Sequence, residues 1–501
     1  MRGGEGITVI GGGIGGLFAG AFLAGNGRKV TVLEKNPTAG GGLQCFYRDG
    51  KIYETGMHIM GGFGSEGTLT RICRYLGILD KLDIEHISPE CCDELYYAVD
   101  GRSWKIPSGR ERFVAELSRM FPEEGEGIRS YVDDIYAMTR HYGLFYLKPS
   151  EFNMLTLPEA LKEPADEFIA RKVGNPVLRE LLAYLSPLYG GVRGHSPVYI
   201  HALINVLYIN GASRFRGGSQ QLADALVGVI VENGGRVLCG KEVESLEIRD
   251  RRVTAVRTFD GALFEPDTVV SAIHPVELLR MVPDGTFLKV FKDRVNSIAS
   301  THSAFSLYID LEEGAFPYID HTCYYSDRYG DMWEQADGEC ERWPRTFMYM
   351  TPPDRNQGRY ASRLLVHCPM SFRHVEKWVD TAVGRRGADY LEWKSRCAEE
   401  ILKRLDARYP GFRGGVRKIY SSSPLTIRDY FGTKEGAICG FFKDASSLTD
   451  SYLPIQTKVR NLFLTGQNII LHGICGVPLT AIHTAEAILG KNVIVDEINR
   501  N

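Results

Sequence analysis

Four residues near the start of the chain have the types and spacing to hold a dinucleotide. Gly11, Gly13 and Gly16 follow the order G-x-G-x-x-G directly after the apolar run Ile7-Thr8-Val9-Ile10, and Glu34 stands eighteen residues beyond the last glycine. Each glycine answers a separate need: a tight turn out of a strand, close backbone approach to a pyrophosphate, and close packing of a helix on that strand. A carboxylate ending the next strand can accept both ribose hydroxyls, and the positive end of the intervening helix favours the pyrophosphate. A second candidate lies near the other end of the chain. Asn461-Leu462-Phe463-Leu464-Thr465-Gly466-Gln467-Asn468 reads as a buried strand ending in a glycine turn. The stretch from His472 through Cys475, Gly476, Val477 and Pro478 then opens an apolar helix to about residue 489, with Pro478 near its first turn. The start of such a helix presents a positive dipole end to whatever faces it.

These residues need a sheet and helices to position them. A helix over residues 14 to 25, with Leu17, Ala21 and Ala24 facing the sheet and Gly27 closing it, is followed by a strand over 29 to 33. Arg216-Gly217-Gly218-Ser219 precedes an amphipathic helix over 220 to 233, with Leu222, Leu226, Val229 and Ile230 on one face. Short strands are predicted over 236–239, 243–248, 252–259 and 268–273, with a turn at Asp260-Gly261. Residues 76–213 read as helical and aromatic-rich, and 301–420 mix strands with Trp and Tyr. No internal repeat or low-complexity tract is present.

The glycine cluster after Glu34-Lys35, Asn36-Pro37-Thr38-Ala39-Gly40-Gly41-Gly42, resembles the second flavin motif of the amine oxidase and phytoene desaturase superfamily. The stretch around Gly466 and Gly476 resembles that superfamily's C-terminal FAD motif. Glu54-Thr55-Gly56-Met57-His58 with Gly61 and Gly62, and Thr426-Ile427-Arg428-Asp429-Tyr430 with Gly436-Ala437, are similar to carotenoid isomerases and retinol saturases, its polyene branch. The resemblance implies an α/β fold: a Rossmann-type, glutathione reductase-like FAD-binding domain made of 1–75, 214–300 and 421–501, with an inserted α+β substrate domain made of 76–213 and 301–420. It implies FAD as cofactor, held by Gly11, Gly13, Ile14, Gly15, Gly16, Glu34, Lys35, Gly41, Gly42, Leu43, His58, Val243, Ala272, Gly466, Gln467, Asn468, Gly476, Val477 and Pro478. The chain departs from the pattern at Leu43 and Gln44, where an arginine is usual, and at Gln467, where an acid is common.

The same resemblance implies an FAD-dependent oxidoreductase acting on carbon–carbon double bonds of an apolar polyene or isoprenoid-like substrate, by desaturation, saturation or isomerisation. Such chemistry asks for a proton donor or acceptor beside the carbon that exchanges hydride. His58 is the first candidate, since the segment after the glycine cluster enters the flavin's neighbourhood in this superfamily; His472 and Cys475 are the others, and water is a further proton source. Tyr142, Phe145, Tyr146, Tyr184, Tyr189, Tyr199 and Tyr208 are candidates to line an apolar tunnel. Two competing functions share the architecture: a flavin amine oxidase, and a non-catalytic escort protein that binds prenyl lipid without flavin. Intact Gly11, Gly13, Gly16 and Glu34 argue against the second.

Composition bounds the rest. A chain of 501 residues is long enough for two cores. A net charge of −3 and an isoelectric point near 6.5 supply no cationic stripe for nucleic acid. Eleven cysteines without a C-x-x-C pair fit reduced thiols and a cytoplasmic setting. Cys91 and Cys92 with His86 match no zinc framework, so no metal is expected. The apolar run from Ile7 to Gly25 is interrupted by glycines, and no basic segment precedes it as in a signal peptide. Peripheral membrane contact and a nicotinamide or quinone electron partner stay open.

Overall fold

The computed structural model describes residues 6–56, 58–149, 156–333 and 342–500; Met57 of the His58 motif lies outside them. Gly6–Ile10 is the central strand of a five-stranded parallel sheet ordered Arg236–Leu238, Lys29–Leu33, Gly6–Ile10, Thr268–Ser271, Leu462–Leu464. Its central strands are buried at almost every position, as a parallel sheet covered on both faces requires. The helix Ile14–Gly25 packs against Gln220–Glu232 and Gly473–Leu489. Gly20 permits that approach, because a Cβ there would lie 3.0 Å from Ile230 Cδ1 and 3.4 Å from Val32 Cγ2. The strands expected from residue 236 onward are present, with ends moved by one or two residues.

The last strand of this sheet comes from residues far along the chain, and one side chain ties it down. The buried Asn461 accepts from Val253 N–H (2.8 Å) and donates to Val253 C=O (3.0 Å) and Asp267 C=O (2.9 Å). It thereby joins the antiparallel sheet Val243–Arg249, Arg252–Thr258 and Leu263–Phe264 to the parallel one. Asn461→Ala removes the side-chain partner of the buried Val253 N–H and C=O, while the Asp267 carbonyl keeps Arg252 Nη2 at 3.3 Å; it is expected to cost about 2 kcal/mol, read as a lower urea midpoint at unchanged slope.

A second, seven-stranded sheet draws on both inserted stretches. Its order is Val416–Ser422, Ser303–Leu311, Arg363–Met370, Thr346–Met350, Thr322–Ser326, Asp93–Tyr97, Arg102–Ile106, and only Thr322–Ser326 with Asp93–Tyr97 run parallel. Phe305, Leu307, Phe347 and Val366 belong to one face, packed with Ile401 and Leu405 of the long helix Ala388–Arg408. The alternating positions face the other way. There one row of directly paired residues, Tyr324, Met348, His367 and Ser306, crosses four strands, and the first three of them line the cavity described below.

Two smaller pieces connect the halves. Met60–Gly61 and Ile84–His86 both pair with Ala212–Phe215. The hairpin Cys45–Arg48 and Lys51–Glu54 is anchored on the larger sheet by Phe46 and Tyr53, whose rings stack at 5.3 Å and meet Tyr308 edge-on. An ion pair of Lys51 with the buried Asp310 fixes the same hairpin. Among the described residues, no single helix is long and apolar enough to cross a membrane.

Candidate functional site

A cavity of about 960 Å³ runs between the two sheets, at the upper end of the range for small-molecule sites. Every residue expected to touch the cofactor lines it except Gly16 and Pro478, and His472 and Cys475 line it too. Gly16 acts from behind: a Cβ there would fall 1.9 Å from the Gly11 carbonyl oxygen, so its bareness lets the helix sit on the turn. Pro478 lies inside the helix Gly473–Leu489 rather than in its first turn, because the helix begins at Gly473. Thr480 Oγ1 donates to Gly476 O (3.2 Å) in the turn that the proline ring interrupts.

The two ends of the chain meet at the glycines. A Cβ on Gly15 would come within 3.0 Å of Gly466 Cα and 3.2 Å of Val477 Cγ1. Gly40 N–H donates to Gly12 O (2.7 Å), and a Cβ on Gly41 would lie 3.0 Å from Gly13 Cα. Three glycine turns are therefore stacked with bare backbone toward one another. Glu34 is buried, its carboxylate accepting from Gly12 N–H and Asn36 N–H, both at 2.8 Å. Lys35 reaches across to the Asp429 carbonyl (2.9 Å). Backbone amides in a glycine cradle, a helix start and a buried carboxylate are what a pyrophosphate and a ribose require, so the residues present fit FAD.

Three imidazoles converge on the other part of the cavity. His58 is buried, both ring nitrogens lack partners among the described residues, and its Nδ1 lies 4.0 Å from Glu54 Oε2. The His367 ring is 5.7 Å from that of His58, and its Nδ1 meets Ser306 Oγ at 3.0 Å. His302 lines the same wall with Nε2 unpartnered. Burial, then the charges of His58 and His302, push the His367 imidazole down to about 3. Burial pushes His302 down to about 4. Both stay neutral at physiological pH, and His58 has the Glu54 carboxylate beside its ring. His472 is pushed down to about 4 by burial and by Lys443, and lies 3.2 Å from Leu188 O through Nε2. Burial raises the Cys475 thiol to about 12, so it remains protonated and a poor nucleophile. Of these three, among the described residues, His58 alone has a carboxylate within 4.0 Å, that of Glu54.

Of the aromatic residues expected in a tunnel, Phe145 and Tyr208 line the cavity and the other five do not. Tyr189 instead meets the buried His201 at 3.0 Å, which also contacts Tyr131 OH at 2.7 Å, behind the helix Val198–Ile209 whose front supplies Ile200, Leu203 and Leu207. Tyr184 donates to Asp93 Oδ2 at 2.7 Å. His302, His367 and Tyr324 line the cavity without belonging to any of the sequence motifs. A polar residue within the apolar strand Arg363–Met370 was a usable signal for His367; His302, just outside a strand, carried none. Among the described residues, no group of three His, Cys, Asp or Glu side chains is arranged to hold a metal ion.

Asp93 is fully buried, and burial raises its carboxyl from 3.8 to about 6. The folded state therefore holds this proton more tightly than the unfolded chain, and the stabilisation it gives is lost as pH rises from 3.8 through about 6. Asp93→Asn is expected to be more stable than the parent at about pH 8, by on the order of 2 kcal/mol, and no more stable at about pH 3, as thermal midpoints at the two pH values would show.

Comparison with known proteins agrees with this site. The family described as flavin containing amine oxidoreductase matches residues 14–311, more than half of the chain. The chain is 27% identical to the all-trans-retinol 13,14-reductase of Rattus norvegicus, covering 98% of this chain and 86% of that protein. It is 25% identical to the chloroplastic prolycopene isomerase 1 of an Oncidium hybrid cultivar, covering 85% and 74%. Among solved structures, an oxidoreductase from Methanosarcina mazei superposes with a TM-score of 0.66 at 17% identity, covering 96% of this chain and all of that one.

Proposed function

Because this chain belongs to the flavin-containing amine oxidoreductase family, we propose that it is an FAD-dependent oxidoreductase that acts on the carbon–carbon double bonds of an apolar polyene or isoprenoid-like substrate. The observation that carries the reading is a single cavity that joins the glycine cradle to a chamber walled by Leu203, Leu207, Met332 and Met348 and flanked by His58. Hydride exchange with the substrate carbon is the chemistry that FAD would supply when bound in this cradle. The residues of the chain do the rest. Gly11, Gly13 and Gly15 would offer backbone to the phosphates of the cofactor, and Glu34 would accept from its ribose. The apolar wall holds the alkene and keeps water out. His58, with Glu54 behind it, carries the proton for the neighbouring carbon, while His302 and His367 stay neutral and shape the polar side of the chamber. The same arrangement serves addition and removal of hydrogen, so direction follows the electron supply.

The chain is further proposed to divide into an FAD part (1–75, 214–300 and 421–501) and a substrate part (76–213 and 301–420), a division supported by the seven-stranded sheet built from both inserted stretches. A cytoplasmic setting, an electron partner of nicotinamide or quinone type and a peripheral membrane contact complete the proposal. Leu288 and Val290, 66% and 78% exposed beside Lys289 and Lys292, suit the last of these.

The test begins with denaturing the purified protein and identifying what it releases. FAD is the expected product. The holoenzyme, reduced without oxygen, is then given all-trans-retinol, and the oxidised enzyme a more saturated polyene. A product changed by two hydrogens, or an isomer of equal mass, supports the proposal. Oxidation of an amine with no reaction on either polyene contradicts it.

A further inference from the structure

One continuous stretch of chain covers part of the cavity. Every residue from Ile427 to Glu435 lines it, that is, the second half of the helix Pro424–Phe431 and the loop that follows. The start of this helix is fixed by a capping box of Ser423 and Thr426. Its end is held by another part of the chain. The last-turn carbonyls of a helix have no partner within it, and here those of Asp429 and Tyr430 accept from Lys35 Nζ (2.9 Å) and Asn36 Nδ2 (3.0 Å). An ammonium group also suits the negative end of a helix. These two donors directly follow Glu34, whose carboxylate accepts from Asn36 N–H (2.8 Å). The acid proposed for the ribose and the residues that hold the cover therefore share one turn.

A second tie comes from a different segment. Arg386, buried and outside the cavity wall, pairs with the Asp429 carboxylate and donates to Thr381 O (2.9 Å) and Thr381 Oγ1 (3.0 Å). Phe431, at the end of the helix, rests on bare backbone: a Cβ on Gly56 would come 3.3 Å from its Cε2, and one on Gly42 3.9 Å. Beyond the helix the chain turns at Gly432 and Gly436. Glu435 between them holds a φ of 55°, a left-handed conformation that a non-glycine residue keeps only under constraint.

We infer that Pro424–Phe431 is a latch over the cofactor cradle, fastened by Lys35, Asn36 and Arg386, and that FAD enters and leaves only when it lifts. The inference rests on FAD as the cofactor. Lys35 is then a positioning residue and not a contact of the phosphates, because its ammonium is occupied at the end of the helix. All three ties join protein to protein, so they hold a loaded and an unloaded cradle alike. Loosening them speeds entry and exit of FAD together and changes its Kd little. Deleting a direct contact with the cofactor instead speeds exit alone and weakens Kd by the same factor.

The experiment uses the full-length protein loaded with isotopically heavy FAD. Exit is followed by mass as the heavy cofactor is replaced from an excess of ordinary FAD, and Kd is measured by titrating the full-length apoprotein with FAD. Lys35→Met combined with Asn36→Ala and, separately, Arg386→Gln are each expected to raise the exit rate about tenfold, with Kd within about threefold of the parent. Arg386 does not line the cavity, so Arg386→Gln removes no contact with the cofactor. If that variant fails to fold, the double variant decides alone. Faster exit with Kd weakened in proportion overturns the latch, and so does exit at the parent rate. Release of no FAD from the denatured parent is a different failure, that of the cofactor reading, and the latch falls with it.

Discussion

Gly16→Ala yields protein with no bound flavin and a markedly lower unfolding midpoint. The added methyl would sit 1.9 Å from the Gly11 carbonyl oxygen and 3.2 Å from Ala272 Cβ. The first obstacle is backbone and cannot rotate aside, so the helix Ile14–Gly25 must lift from the strand that feeds it. That motion opens the cradle of Gly11 to Gly15 and separates Gly15 from Gly466. The cost is expected to reach about 3 kcal/mol, the upper range for overpacking, with loss of visible flavin absorbance as the second readout. Gly25→Ala is the control, since a Cβ there meets nothing within 4 Å. It should retain flavin and gain up to about 1 kcal/mol from helix propensity.

His58→Gln keeps its flavin and loses turnover by about 10²- to 10⁴-fold, the range for removal of a positioned proton carrier. Glutamine fills similar space and can hydrogen bond, but it holds no exchangeable charge. Two neighbours make the comparison informative. His302 and His367 lie on the same wall, yet burial keeps them neutral, and among the described residues neither has a carboxylate 4.0 Å away as His58 has in Glu54. Substituting either should change substrate affinity more than the rate of the chemical step, which separate kcat and KM values would reveal. Turnover of His58→Gln within a few fold of the parent would move the proton to water or to another group.

Much of this architecture was legible in the chain. The order of Gly11, Gly13, Gly16 and Glu34 is a local pattern, because strand, turn, helix and strand are contiguous and each glycine has its own steric task. The second site near Gly466 was legible for the same reason. The substrate chamber was not. Its wall is one cross-strand row drawn from segments tens of residues apart, and no periodicity within a single strand announces which residues will stand side by side. Aromatic content misled in the same way: Tyr184 and Tyr189 hydrogen bond Asp93 and His201 behind the wall, whereas Tyr324, unremarkable in sequence, lines it. Pro478 shows the limit of local signals, since a proline that suits a first turn is here carried inside a helix that begins earlier, at Gly473.

One molecule of FAD must be held by both ends of the chain at once. Hydrogen–deuterium exchange of the apoprotein before and after addition of FAD measures this directly. The expected result is slowed exchange at the amides of Gly11 to Gly16 and, to a comparable degree, at those of Gly466 to Asn468. Protection of the first segment alone, with the second exchanging as in the apoprotein, would contradict it.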